Sequence, residues 1–251
     1  MSAEFEERGA LVTGAGRGIG RAIALALAAQ GARPALVART RAELEETATL
    51  IAATGARPPV VVGDLGDPAQ VREVVARARE ELGSIDVLVN NAAVVWPLGP
   101  TAKVDPLDWE AAFQINLFGV VRMTQEVLPA MLEHGWGRIV NVSSGIVAHP
   151  GAMVGGNAYA AGKAALEAHS VNLAAELEDT GVTVNAFRPG AVDTAMQGWI
   201  RDQDPAEIGS ALHERFVGTY ESGSLITPEQ SAAALVEHLR SGGNGEIWDV
   251  P

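Results

Sequence analysis

The chain predicts an α/β fold, a Rossmann-type doubly wound parallel sheet of about seven strands with helices on both faces. Three observations carry this. Apolar runs of strand length alternate with helical stretches through short loops. The strand runs are continuously apolar rather than alternating, as in a parallel sheet covered on both faces. A glycine-rich turn, Gly14-Ala15-Gly16-Arg17-Gly18-Ile19-Gly20, stands between the first strand and the first helix.

Gly9 to Thr13 is the first strand, and an Ala/Leu-rich helix then runs to about Gln30, with Gly31 at its expected C-cap. Pro34 to Ala38 is a second strand. Arg41 to about Thr54 is helical and stops at Gly55. Val60 to Val62 is a third strand. A helix from Pro68 to Leu82 opens on proline and closes on Gly83. Ile85 to Val89 is the fourth strand. One long helix is expected from about Leu107 to Glu133, a strand over 138–142, a helix from about Asn157 to Asp179 and a strand over 182–187. Residues 195–225 break the rhythm. A helix from about Pro228 to Arg240 and a short strand, Glu246 to Trp248, close the chain. With no repeat, linker or low-complexity tract, residues 1–251 read as a single dinucleotide-binding and catalytic domain.

At 251 residues the chain can bury a sizeable core. Its 47 % hydrophobic and 20 % charged content is that of a soluble globular protein. The formal net charge of −13, with no basic block, argues against nucleic acid and anionic membranes as partners. Without cysteine there is no disulfide, thiolate nucleophile or thiolate metal site, and no metal is expected. Met1 to Arg8 is acidic and lacks the apolar core of a signal peptide, and no apolar run has membrane-span length. A cytoplasmic location is the expectation.

Glycines after a first strand allow a tight turn and close approach of backbone N–H groups to a pyrophosphate, whose charge the following helix N-terminus stabilises. The key glycines fall at 14, 18 and 20, a spacing unlike the commoner G-x-G-x-x-G, and the absence of Gly-Lys-Ser/Thr argues against a P-loop. Tyr159 and Lys163 sit four apart in a helical stretch, on one face. An ammonium beside a phenol lowers the phenol pKa from its ordinary value of about 10. Taken alone, Tyr-x-x-x-Lys is common by accident, and a partly buried Tyr with a surface Lys on an ordinary helix is the favoured reading.

Together these motifs resemble the short-chain dehydrogenase/reductase family in its single-domain branch. The matching pieces are Thr13-Gly14-x-x-x-Gly18-Ile19-Gly20, Asp64-Leu65, Asn90-Asn91-Ala92, Asn116, Ser143-Ser144, Tyr159-x-x-x-Lys163 and Pro189-Gly190-x-Val192-x-Thr194. They occur in the family's order and approximate spacing over nearly the whole chain.

The resemblance implies that Tyr159 is the acid/base for hydride transfer between a nicotinamide and a ketone, aldehyde or secondary alcohol. Lys163 would lower the Tyr159 pKa and bond the nicotinamide ribose, and Asn116 would help hold a water in a proton relay. It implies adenine contact by Asp64 and Leu65, ribose packing by Asn90 and Ala92, and carboxamide binding by Pro189, Val192 and Thr194. Ala93 replaces the family's usual glycine.

Family spacing for the catalytic serine lands on Ile146, which has no polar group; the strand-end pattern selects Ser144 instead, with a two-residue lengthening in the loop 145–156. Ser143 is the alternative. His149 and Met153 of that loop are expected to line the substrate pocket, His149 as wall rather than base. Residues 195–225 match the family's substrate lid, with Met196 and Trp199 on its apolar face and Trp96 opposing.

No acid stands at the end of the second strand; Ala38-Arg39-Thr40 does, and Arg17 lies in the glycine turn. Arginines suit a 2′-phosphate, so NADP is expected over NAD, which stays possible. A homodimer or homotetramer is expected. A catalytically silent NAD(P) sensor, and an epimerase or lyase on the same fold, are the alternatives.

Overall fold

The computed structural model describes residues 4–250. Its centre is one parallel sheet of seven strands in the order β3-β2-β1-β4-β5-β6-β7. The strands are β1 (Gly9–Thr13), β2 (Arg33–Ala38), β3 (Val60–Val62), β4 (Val87–Asn90), β5 (Gly137–Val142), β6 (Val182–Arg188) and β7 (Ile247–Asp249). The chain starts in the middle, winds outward through β2 and β3, then returns to β4 beside β1. That reversal opens a crevice at the carboxyl ends of β1 and β4, where doubly wound sheets bind ligands.

Strand side chains alternate between two apolar layers. Val12, Val87 and Val89 face α1 (Gly18–Ala29), α2 (Arg41–Ala52) and α10 (Pro228–Ser241), where Ile23, Leu44 and Leu235 meet them. Leu11, Leu88 and Ile139 face α3 (Pro68–Leu82), α5 (Val120–His134) and α6 (Asn157–Glu176), against Val75, Met123 and Leu173. Local chemistry sets the helix starts. The Asp67 carboxylate accepts from Ala69 N at 2.8 Å with Pro68 at the first position, and Thr227 with Gln230 forms a capping box at α10.

Three elements differ from expectation. β4 begins at Val87 rather than Ile85; Asp86 just before it is tied to β1, its carboxylate accepting from Gly9 N at 2.9 Å and its N–H donating to Gly9 O at 2.8 Å. The expected long helix is broken into α4 (Pro106–Phe113), a π-helical stretch (Gln114–Gly119) and α5. Gly119 lies there against the backbone of Leu65; a β-carbon on it would stand 2.7 Å from the Leu65 carbonyl oxygen. The segment 195–225 is largely helical: α7 (Ala195–Arg201), α8 (Pro205–Ile208) and α9 (Ser210–Glu221). Its Ile200, Ile208 and Leu212 form a third apolar cluster with Val95, Met153 and Tyr159. No helix among the described residues is long and apolar enough to cross a membrane.

Candidate active site

The crevice is a cavity of about 450 Å³ running from β2 to α7. Gly14, Arg17, Gly18, Ile19, Arg39, Thr40, Asp64, Leu65 and Ala92 line one part of it. Trp96, Tyr159, Lys163, Pro189, Thr194, Met196 and Trp199 line the rest. Sequence-distant motifs thus meet at one cavity because they lie at the carboxyl ends of the strands or in the loops and helices that follow them.

The glycine turn is closed by through-space contacts. Gly14 and Gly18 have φ of 66° and 53°, the left-handed region that glycine tolerates. A β-carbon on Gly20 would stand 2.2 Å from Gly14 O. Asn91 Nδ2 donates to Thr13 O at 2.9 Å, and the Thr13 hydroxyl accepts from Asn91 N and Ala92 N at 2.9 and 3.0 Å. This cradle leaves room only for backbone, and it borders the cavity at the N-terminus of α1. It fits a dinucleotide pyrophosphate. Ala93 also lines the cavity and has no positive φ, so its methyl replaces glycine without backbone strain.

Asn90 faces away from the cavity. It is buried and donates to Asn141 Oδ1 at 2.9 Å, tying β4 to β5. Val192 is also buried and bridges Ile226. Thr194 accepts from Gln197 N at 3.5 Å as the cap of α7.

Tyr159 and Lys163 lie on the face of α6 turned to β5. Tyr159 is 9 % exposed and Lys163 2 %. Lys163 Nζ donates to Val142 O at 2.6 Å and stands 5.9 Å from the Tyr159 ring centroid. The expected lowering of the phenol pKa is not what this arrangement produces. Burial pushes the phenol up, opposed by a hydrogen bond with the Ser144 hydroxyl. The Lys163 ammonium is turned to Val142 O. Ser144 also caps a short turn, accepting from Ile146 N at 3.4 Å. Ser143 Oγ is engaged elsewhere: it donates to Glu167 Oε1 at 2.7 Å.

Burial pulls the Lys163 ammonium down from 10.5 to about 8, with the Glu167 carboxylate opposing. Between those values the unfolded chain holds a proton that the folded chain has released, so stability rises with pH there. The gain is about 3 kcal/mol at full effect. Urea midpoints at about pH 7.5 and about pH 10 should therefore rise more in the wild type than in Lys163→Met. Equal pH dependence in the two proteins would contradict this burial.

Asn116 sits in the π-helical stretch, 1 % exposed. Its side chain is bonded to backbone: Oδ1 accepts from Val94 N at 2.9 Å and Nδ2 donates to Val94 O at 2.8 Å. It holds the loop after β4 and does not itself line the cavity. The expectation for the loop 145–156 is not met. His149 is exposed and outside the cavity, because two short 3-10 turns carry the loop outward. Met153 is 5 % exposed and packs under Tyr159 rather than lining the cavity.

Residues not singled out by sequence matter here. Glu43, in the first turn of α2, borders the cavity and pairs with Arg17 at 3.2 Å. Its signal was weak: an acid four residues after Arg39. Glu167, 5 % exposed, is held by Arg188 through two bonds of 2.8 Å. Its position one turn after Lys163 is the only hint in the sequence.

A doubly wound parallel sheet with a glycine cradle and a Tyr–Lys pair at its switch point defines a dinucleotide-dependent enzyme of the Rossmann class. The family model for short chain dehydrogenase matches residues 8–205, and the chain belongs to that family. The short-chain reductase protein NovJ of Streptomyces niveus is 37 % identical over 92 % of this chain and 86 % of its own. A 3-ketoacyl-(acyl-carrier-protein) reductase from Brucella melitensis, solved with NADH, has a TM-score of 0.85 and 27 % identity, covering 98 % of each chain. A Beutenbergia cavernae protein assigned as an NAD(P)-dependent gluconate 5-dehydrogenase, solved with NADP, also has a TM-score of 0.85. It is 32 % identical over 99 % of this chain and 96 % of its own. The protein is an NAD(P)-dependent oxidoreductase of this family.

Proposed function

We propose that the protein transfers hydride between NADP and an uncharged ketone or aldehyde, or the corresponding alcohol, with Tyr159 as the acid/base. The carrying observation is that the glycine cradle, Lys163 and the Tyr159 phenol border one cavity. When bound, the nicotinamide supplies or accepts the hydride.

Gly14, Gly18, Ile19 and Gly20 form the pyrophosphate cradle. Asp64, Leu65 and Ala92 flank the adenosine, with Asn90 acting through the sheet. Pro189, Val192 and Thr194 form the turn at the nicotinamide. In reduction, the Tyr159 hydroxyl gives its proton to the carbonyl oxygen. Ser144 donates a second hydrogen bond to the same oxygen, stabilising its developing charge. A phenol raised by burial stays protonated at neutral pH, which suits a proton donor. Lys163 would bond the ribose, and its ammonium would return a proton to the phenolate left by the transfer, being reprotonated in turn from solvent. Asn116 shapes the wall by holding Val94.

The substrate wall is Trp96, Met196 and Trp199, and the cavity's other cations, Arg17 and Arg39, lie at the β1–β2 side. Among the described residues, Lys163 is the one cation lining the cavity beside Tyr159, and it is engaged by Val142 O, which supports an uncharged substrate. Assembly as a homodimer or homotetramer is supported by Leu107, Phe118, Leu132 and Val171, apolar side chains exposed on α4 to α6. The chain works as a single catalytic unit built on its one sheet, with α7 to α9 as the lid.

NADPH oxidation against a panel of neutral ketones tests the activity. Tight NADPH binding with no turnover on any of them would favour a sensor. Cofactor preference has its own test. Arg39 is exposed at the cavity mouth, whereas Arg17 is partly neutralised by Glu43. Arg39→Asp is expected to reverse the NADP preference by about tenfold or more, and Glu43→Gln to strengthen NADPH binding by freeing Arg17. Unchanged cofactor ratios in Arg39→Asp would refute the NADP assignment.

A further inference from the structure

We propose that Glu167, clamped by Arg188, is a positioning residue that sets the Ser144 hydroxyl against the Tyr159 phenol. This rests on the reading of Tyr159 as acid/base. Three successive residues at the end of β5 are each tied to the same face of α6. Asn141 Nδ2 donates to Ser170 Oγ at 2.9 Å, Val142 O accepts from Lys163 at 2.6 Å, and Ser143 Oγ donates to Glu167 Oε1 at 2.7 Å. Their partners at 163, 167 and 170 follow the helical repeat, in line with Tyr159 one turn earlier.

Glu167 is the tie that is also anchored to β6. Arg188 Nε and Nη2 each donate to it at 2.8 Å, a bidentate pair that fixes the carboxylate plane. Arg188 ends β6 and immediately precedes Pro189, which lines the cavity. One buried carboxylate therefore joins the serine corner, the tyrosine helix and the nicotinamide turn. Ser143 N also donates to Phe187 O at 2.7 Å, so the corner is pinned on two sides. Ser144 is the next residue. Freeing the Ser143 side chain lets that corner rotate and carries the Ser144 hydroxyl away from the phenol. Small displacements of a reacting group cost large factors in rate.

The test separates positioning from simple stability. A buried ion pair exchanged for apolar side chains of similar size is near neutral for stability, whereas removal of one partner strands a charge. The double variant Glu167→Leu with Arg188→Met is therefore compared with Ser143→Ala and Glu167→Gln, all in the full chain with NADPH and a turned-over ketone. The double variant is expected to melt within a few degrees of wild type and to lose about 30-fold in kcat, with KM and the NADPH Kd within about threefold. Ser143→Ala, which leaves the Glu167–Arg188 pair in place, is expected to lose about fivefold in kcat, and Glu167→Gln, still an acceptor for Ser143, to keep most of it. A wild-type kcat in Ser143→Ala, or in a folded double variant, overturns the proposal. So does a fall in Glu167→Gln as deep as in the double variant. If Tyr159→Phe stayed active, the acid/base reading itself would fail, a result distinct from these.

Discussion

Tyr159→Phe is expected to lower kcat/KM by about three orders of magnitude while the NADPH Kd stays within about threefold. The ring packs in the apolar cluster with Val95, Met153, Ile200 and Leu212, so phenylalanine keeps the packing and deletes only the hydroxyl. The Tyr159 side chain borders the cavity and carries the proton assigned to the carbonyl oxygen. Ser144 still donates to the oxygen in the variant, but its own proton is too weakly acidic to replace the phenol's. Steady-state rates with NADPH, alongside cofactor titration by fluorescence, provide the check. Activity within tenfold of wild type would remove Tyr159 from the chemistry.

Gly20→Ala is expected to weaken NADPH binding by about 100-fold and to lower the melting temperature. Its β-carbon would stand 2.2 Å from Gly14 O and 2.5 Å from Asn91 Nδ2. Those two atoms belong to the clamp that shapes the cradle, since Asn91 Nδ2 bonds Thr13 O and approaches Gly14 O at 3.4 Å. A backbone carbonyl cannot step aside as a flexible side chain would, so the turn must open. Gly55→Ala is the control. Nothing lies within 4 Å of its added methyl, and cofactor affinity is expected to be unchanged. NADPH affinity in Gly20→Ala equal to that of the Gly55 control would show that the cradle does not hold the pyrophosphate.

The fold was legible because its signals are local. Continuous apolar runs marked β1, β2 and β5 within a residue or so. Proline marked the start of α3, and glycine its end. The interruption of the expected long helix was not legible, because it comes from the π-helical stretch where Gly119 packs against Leu65. The site divides in the same way. Ile19, Arg39, Thr40, Asp64 and Thr194 border the cavity as the motifs suggested. Asn90, Val192 and Met153 turned inward to core or sheet, and His149 outward to solvent. Strand alternation and loop path decide those directions, and neither can be read from a motif in a loop of unusual length.

By itself the sequence determined the order of strands and helices, the glycine turn, and the shared face of Tyr159 and Lys163. Each of these follows from backbone periodicity or from φ preferences acting over a few residues. Only the tertiary structure decided which groups those residues meet. Arg17 faces Glu43 across 26 positions, Ser143 faces Glu167 across 24, and Glu167 faces Arg188 across 21. It also decided that burial, rather than the neighbouring ammonium, dominates the Tyr159 phenol. Charge interaction and desolvation depend on distance and enclosure in space, and these are set only when the helices close over the carboxyl edge of the sheet.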